Sequence, residues 1–308
     1  MSGQVGYIPA FSMSPSARTL LFLHIPKTGG TTFRRILECN YARNEILTLN
    51  GADHSAERER FANSAEASRR RYRAVQGHLY FGFHQFVPSQ SAYVTWMRDP
   101  VARSLSFYSH VCNRTDHYLH RQLKEQRLNL KGLLAGKVTP ELFNLQTRMI
   151  AGEQNHAATV DRNTLEIAKQ NLRKDFCFVG LTEQFDAGLV MLSEMLGWSR
   201  PFYTRENVGI DRVAPECTDA ETESLLREAN ELDFELHHFA RDLFETRRKA
   251  AGPSFESKLT EFQQLNATGA SVRRPRGRMK TALLNALTRR GARREVAALK
   301  QSPAARSI

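Results

Sequence analysis

The chain has 308 residues, 41% of them hydrophobic, with 44 Lys+Arg against 32 Asp+Glu and a net charge of +12. That length buries a substantial core in one large domain or two small ones, and the composition is that of a globular protein with a basic excess. No run of about 18 apolar residues is present and the N-terminus lacks a basic stretch leading into an apolar one, so neither a transmembrane helix nor a signal peptide is expected.

Residues 1–17 are small and polar with two prolines and read as a loose N-terminal arm. A strand–loop–helix unit follows over 18–40, with Leu20 to Leu23 as a short buried strand and an amphipathic stretch opening at Thr32. Residues 50–72, rich in Ala, Glu, Arg and Ser, predict an exposed helix, and 73–79 and 92–97 predict short buried strands. A helix begins near Val101, with Asp99 as its N-cap and Pro100 in its first position. The stretch 113–175 reads as helical and polar, 176–181 as another strand, and 183–197 as a helix. One long amphipathic helix is predicted over 219–249, with Leu225, Ala229, Leu232, Leu236, Phe239 and Leu243 on its stripe and Gly252-Pro253 ending it. Strands alternating with helices imply an α/β fold around a parallel sheet, in which ligands sit beyond the carboxyl ends of the strands. The division that follows is an arm over 1–17, a main α/β domain over 18–250 and a basic, partly disordered tail over 251–308.

The residues LLFLHIPKTGGTTF at 20–33 carry the strongest chemical signal. Glycines let backbone N–H groups approach an anion, and the helix start adds partial positive charge. Lys27 supplies a full charge, the hydroxyls of Thr28, Thr31 and Thr32 supply donors, and Gly29 and Gly30 form the turn. A nucleotide-triphosphatase loop places its lysine after the glycines, followed by Ser or Thr; here Lys27 precedes them. A lysine at the strand end resembles the 5′-phosphosulfate loop of sulfotransferases that use 3′-phosphoadenosine 5′-phosphosulfate.

A second anion anchor lies in VTWMRDPVARSLSFYSH, where Arg98 ends a strand and Ser106 sits about two turns into the following helix. A guanidinium fork with a helical hydroxyl can hold a phosphate, and R-D-P with a serine eight residues after the arginine resembles the 3′-phosphate site of the same enzymes. Arg103, three residues before Ser106, either assists or is a solvated arginine.

The resemblance extends through Gly77-His78, NLQTRMIAG at 144–152, FVGLTEQFD at 178–186 and NELDFELHHFARDLF at 230–244, in that order. Residues 18–248 are similar to the carbohydrate sulfotransferases that modify heparan sulfate, the 2-O and 6-O enzymes in particular, although no membrane anchor is present. It implies a P-loop-like three-layer fold with a central parallel sheet, 3′-phosphoadenosine 5′-phosphosulfate as cosubstrate with no metal, and a glycan or other hydroxyl-bearing acceptor. It implies as catalytic residues His78, as the base, and Lys27, on the leaving phosphate. Lys27, Thr28, Gly29, Gly30, Thr31, Thr32, Arg98 and Ser106 are the implied donor-binding residues. By its residue type alone His78 is equally a hydrogen-bonded structural histidine, and His84 is a second candidate base. His24 reads as structural, and His237-His238 lacks metal-ligand spacing. Adenine is expected against 178–186 or 203–208, including Tyr203 and Arg205, and the acceptor against 79–90 and 113–150, where Arg114, Gln146 and Arg148 either face an anionic sugar or are solvated or packing residues.

Residues 271–308 hold 11 Lys+Arg and one acid, a net of +10, so residues 1–270 carry +2 of the total +12. Residues 279–288 have helical apolar spacing flanked by arginines, and the segment 273–306 reads as a contact for an anionic membrane or polyanion, or as a solvated tail, without specific nucleic-acid recognition. Cys39, Cys112, Cys177 and Cys217 are scattered and read as reduced thiols, which with the missing leader implies a cytoplasmic, membrane-peripheral protein. Two alternatives remain from the residues alone: a P-loop-type kinase using ATP, and a non-catalytic polyanion-binding protein acting through its tail.

Overall fold

The computed structural model describes residues 19–49, 54–198, 202–203 and 219–267. The N-terminal arm, Arg205 and the basic segment 273–306 lie outside the described residues. Five strands form one all-parallel sheet: β1 (Thr19–Leu23), β2 (Ile46–Leu49), β3 (Ala74–Gly77), β4 (Ser91–Met97) and β5 (Phe176–Leu181), in the order β2-β3-β1-β4-β5. β1, β3 and β5 are buried along their whole length, which explains their near-continuous apolar sequence: a parallel strand covered on both faces has no solvated side to alternate toward. β1 is central, with Leu23 level with Gly77 on one side and Thr95 on the other. The chain leaves β3 on one side of β1 and returns as β4 on the other, so the strand order reverses here.

Among the described residues twelve helices follow: α1 (Gly30–Asn40), α2 (His54–Ala62), α3 (Glu66–Arg70), α4 (Pro100–Asn113), α5 (Tyr118–Glu125), α6 (Leu130–Ala135), α7 (Leu145–Ala151), α8 (Arg162–Lys174), α9 (Phe185–Leu196), α10 (Ala220–Ala229), α11 (Glu231–Ala250) and α12 (Phe255–Ala267). None is long and apolar enough to cross a membrane. The N-terminus of α4 is built as its sequence predicts, with the Asp99 carboxylate accepting from the Ala102 N–H at 2.8 Å and Pro100 in the first turn.

Three expectations are corrected, and one strand was not anticipated. The exposed helix over 50–72 is two short helices, α2 and α3, separated by a turn. The sheet has an edge strand, β2, whose four residues ILTL are too short to declare themselves and are held by pairing with β3. The single helix over 219–249 breaks at Asn230, a fully buried side chain that donates to the carbonyls of Leu142 and Leu226 and accepts from the Asn144 N–H. Three bonds at a buried site outweigh the roughly 1 kcal/mol each of the helical bonds given up there. Beyond Gly252-Pro253, residues assigned to the tail form α12, which packs on α9 through buried Phe255 and Phe262.

A main core surrounds the sheet, and a second cluster of Phe107, Val111, Leu119, Leu123, Leu133, Leu142 and Leu226 sits under the helices of the 113–143 region. The polar reading of that region reflects its outer faces.

Candidate active site

The loop between β1 and α1 is shaped by its own residues. The Thr28 hydroxyl donates to the Ile25 carbonyl at 2.9 Å, and the Gly29 carbonyl accepts from the Thr32 and Phe33 N–H groups at 3.0 and 3.3 Å. Gly29 caps α1 with φ 84°, a conformation that glycine adopts without steric cost. Lys27 has φ 71°, a left-handed backbone that a lysine enters at a cost of about 1–3 kcal/mol and that clusters at functional sites. Gly30 serves another purpose: a Cβ there would sit 1.9 Å from the His24 ring, so the missing side chain is what lets that histidine lie against the helix start. Thr31 is exposed and Thr32 half-buried, whereas the buried Thr28 hydroxyl is committed to the turn.

Two side chains from neighbouring strands fasten to this loop. His78, just past β3, is bonded through Nδ1 to the His24 carbonyl at 2.8 Å. A carbonyl only accepts, so Nδ1 carries the proton, and when the ring is neutral its lone pair lies at Nε2. The two rings stack with centroids 4.6 Å apart. Burial pushes His24 well below the ordinary histidine value, and the positive charge available to His78, Arg34 and Lys27 pushes it the same way, so His24 stays neutral. Arg98, just past β4, donates through Nη1 to the Lys27 carbonyl at 3.1 Å. His78, Lys27 and Arg98 therefore meet at the carboxyl end of β1. Ser106 lies on the same helix, α4, that Arg98 leads into, and is largely buried.

Other sequence candidates are used elsewhere. His84 turns to the Tyr93 hydroxyl at 3.2 Å. Arg103 is fully buried, donating to the Glu141 carbonyl at 2.6 Å and the Ser104 hydroxyl at 3.0 Å, with Nε and Nη1 unpartnered. Burial draws its guanidinium down and the nearby Asp233 charge opposes this. Arg114 pairs with exposed Asp116. Gln146 clasps the Arg98 backbone, and Arg148 braces the carbonyls of Asn155 and Ala158, both at 2.6 Å. His237 approaches Glu183 at 3.6 Å. No cluster able to hold a metal is present among the described residues.

The residues just past β5, within the 178–186 stretch named as an adenine candidate, make contacts to the loop and to β4 that the sequence did not indicate. The Thr182 hydroxyl is shared between the Thr28 carbonyl at 2.9 Å and the Met97 carbonyl at 3.0 Å, tying the loop to the end of β4. The Glu183 carboxylate accepts from the Asp99 N–H at 2.7 Å. Its burial works to raise its pKa, but the nearby His237 ring and the hydrogen bond from the Asp99 N–H outweigh that and hold it below the usual carboxylate range. The Phe185 ring lies against Gly29 and packs tilted against Trp96, with ring centroids 4.3 Å apart. Beside it opens a cavity of about 310 Å³ lined by Thr182, Gln184, Phe185, Arg248, Leu259 and Gln263. The sequence signals for this stretch were the FVGLTEQFD resemblance and its position directly after a strand.

A family model described as the sulfotransferase family matches residues 9–240, the span that holds the Lys27 loop, His78 and the Arg98 turn. The chain belongs to the sulfotransferase family. Its all-parallel five-stranded α/β sheet is consistent with the sulfotransferase fold that the motifs implied. The chain is 28% identical over 273 residues to heparan-sulfate 6-O-sulfotransferase 2 of Danio rerio, covering 73% of this chain and 58% of that protein. It is 30% identical over 184 residues to heparan-sulfate 6-O-sulfotransferase 1-B of Danio rerio, covering 50% and 44% respectively. It is 25% identical over 193 residues to heparan sulfate 2-O-sulfotransferase 1 of Gallus gallus, covering 58% and 54%. The chain thus spans about half the length of these relatives. Sulfotransferase membership displaces the ATP-dependent kinase alternative.

Proposed function

We propose that the protein transfers a sulfuryl group from 3′-phosphoadenosine 5′-phosphosulfate to a carbohydrate hydroxyl. The observation that carries this reading is the convergence of His78 and Arg98 on one loop, through the carbonyls of His24 and Lys27. The donor supplies an activated sulfuryl group on a phosphate leaving group. Lys27 and the N–H groups at the start of α1 hold the 5′-phosphate and neutralise the charge that grows on its bridging oxygen. Arg98 and Ser106 hold the 3′-phosphate. The adenosine half is assigned to the cavity beside Phe185, which adjoins Gly29. His78 Nε2 takes the proton from the acceptor hydroxyl as the new O–S bond forms and the bridging S–O bond breaks, leaving a sulfate ester and adenosine 3′,5′-bisphosphate.

The carbohydrate acceptor is supported by relatives named for action on heparan sulfate. Calorimetric titration with adenosine 3′,5′-bisphosphate in the absence of magnesium is the test. Binding by the wild-type chain that is lost in Arg98→Ala is the expected result, and a folded wild-type chain that does not bind would overturn the reading. Transfer of labelled sulfate to a heparan-type oligosaccharide, set against a neutral polysaccharide, tests the acceptor class separately.

A further inference from the structure

We propose that Gln146 is the positioning residue of the Arg98 anion site, so that selectivity for an adenosine 3′-phosphate depends on a side chain that reaches Arg98 only through its backbone. The inference rests on the donor reading of Arg98 given above.

Gln146 is fully buried on α7, and both ends of its amide are committed to one residue. Its Oε1 accepts from the Arg98 N–H at 3.0 Å and its Nε2 donates to the Arg98 carbonyl at 2.8 Å. The amide orientation is unambiguous, because the flipped form would set donor against donor and acceptor against acceptor. Arg98 needs such a clamp. It follows the last residue of β4 and precedes Asp99, the N-cap of α4, so neither a strand ladder nor a helical repeat fixes it. Two bonds, one to each flanking peptide, fix both planes around its Cα and hence the direction of its side chain. An arginine head lies several ångströms from Cα, so a backbone rotation of about 10° moves it by about 1 Å, enough to degrade a positioned charge.

The clamp is itself anchored. The Gln146 N–H donates to Asp233 Oδ2 at 3.1 Å, and the Thr147 N–H and hydroxyl donate to Asp233 Oδ1 at 2.7 and 2.8 Å. In return Asn144 Oδ1 accepts from the N–H groups of Leu232 and Asp233 at 3.0 and 3.1 Å. The first turns of α7 and α11 therefore cap each other, and Gln146 projects from that junction onto Arg98. Nothing in this arrangement leaves the Gln146 amide available to a sugar.

The test compares affinities for adenosine 3′,5′-bisphosphate and adenosine 5′-phosphate, by calorimetry on the full chain, for wild type, Gln146→Glu, Gln146→Met and Arg98→Ala. In Gln146→Glu a carboxylate still accepts from the Arg98 N–H but opposes its carbonyl; Gln146→Met removes both bonds at similar volume. The bisphosphate is expected to weaken by about tenfold or more in either variant, and the 5′-phosphate to stay within about twofold, so the selectivity ratio collapses. A parallel loss for both ligands would mean a general structural role and would overturn the proposal, as would an unchanged ratio. If Arg98→Ala leaves the ratio intact, the donor reading of Arg98 itself fails; if it collapses the ratio and the Gln146 variants do not, only this inference fails. Should both variants fail to fold, amide exchange in the wild-type chain decides. Slowing at residues 98, 146 and 147 with the bisphosphate but not the 5′-phosphate supports the clamp, and no difference between the ligands overturns it.

Discussion

The loop after β1 and the turn after β4 carry the two proposed anion anchors, and they are held in opposite ways. The loop is organised from within: Thr28 bonds back three residues, and Gly29 takes N–H groups from Thr32 and Phe33. The turn around Arg98 is capped locally by Asp99, but the rest of its support comes from Gln146, 48 positions away, and from Thr182 and Glu183, 85 and 84 positions from their partners Met97 and Asp99. A short loop with local hydrogen bonds and the right glycines needs little help to take its shape. A turn between strand and helix that must hold a long side chain at a set angle depends on elements that arrive later in the chain.

The sharpest test of the loop is Lys27→Ala, expected to lower the rate constant of sulfate transfer by on the order of 10²–10³-fold, since it removes the charge on the leaving oxygen. Thermal melting should hardly change, because the residue gives up a left-handed lysine and no core packing. Unaltered turnover at saturating donor would show that the loop is only a scaffold.

Gly30→Ala is next. Its methyl would collide with His24, and overpacking of this kind costs about 1–3 kcal/mol. Denaturant unfolding should show that loss, and His24→Ala in the same chain should recover much of it; two independent losses would argue against the contact.

Asn144→Ala probes the long-range side. It removes the acceptor for two N–H groups of α11 and places alanine at φ 47°. The expected cost is about 1–2 kcal/mol, with a loss of 3′-phosphate selectivity that Gly30→Ala should not share. If both variants erode selectivity alike, the distinction between loop and turn collapses.

The smallest effect concerns His24. Its folded pKa is lowered below the ordinary value of 6.5, so the unfolded chain binds more protons in the window just below 6.5 and stability is lost as pH falls through it. Between pH 7 and 5 the melting temperature of wild type should fall by about 2 °C more than that of His24→Phe. Equal slopes would mean that this ring does not titrate on unfolding.

Much of the sheet was legible because a buried parallel strand writes a solid apolar run: 176–181 was read to the residue, and β1 and β4 to within one. The start of α4 was legible because Asp-Pro states an N-cap and a first position. The break at Asn230 was not, since the apolar stripe runs through it and only the partners at 142–144 favour the interruption. For Arg148 and Gln146 the sequence left a sugar contact and a packing role open, and both bond to backbone groups: a polar side chain in a helix reads alike whether it faces a ligand or a backbone.

By itself the sequence determined the parallel α/β class, the Lys27 loop with its glycines and the Arg-Asp-Pro turn, because each local element is encoded in a contiguous stretch whose geometry follows from its own residues. Tertiary structure alone decided that His78 is held as an Nδ1–H tautomer by the His24 carbonyl, that Thr182 ties the loop to β4, and that Gln146 and Asp233 set the Arg98 backbone. These are hydrogen bonds between residues far apart in the chain, and a backbone carbonyl or amide presents the same face in every sequence until the fold brings a partner to it.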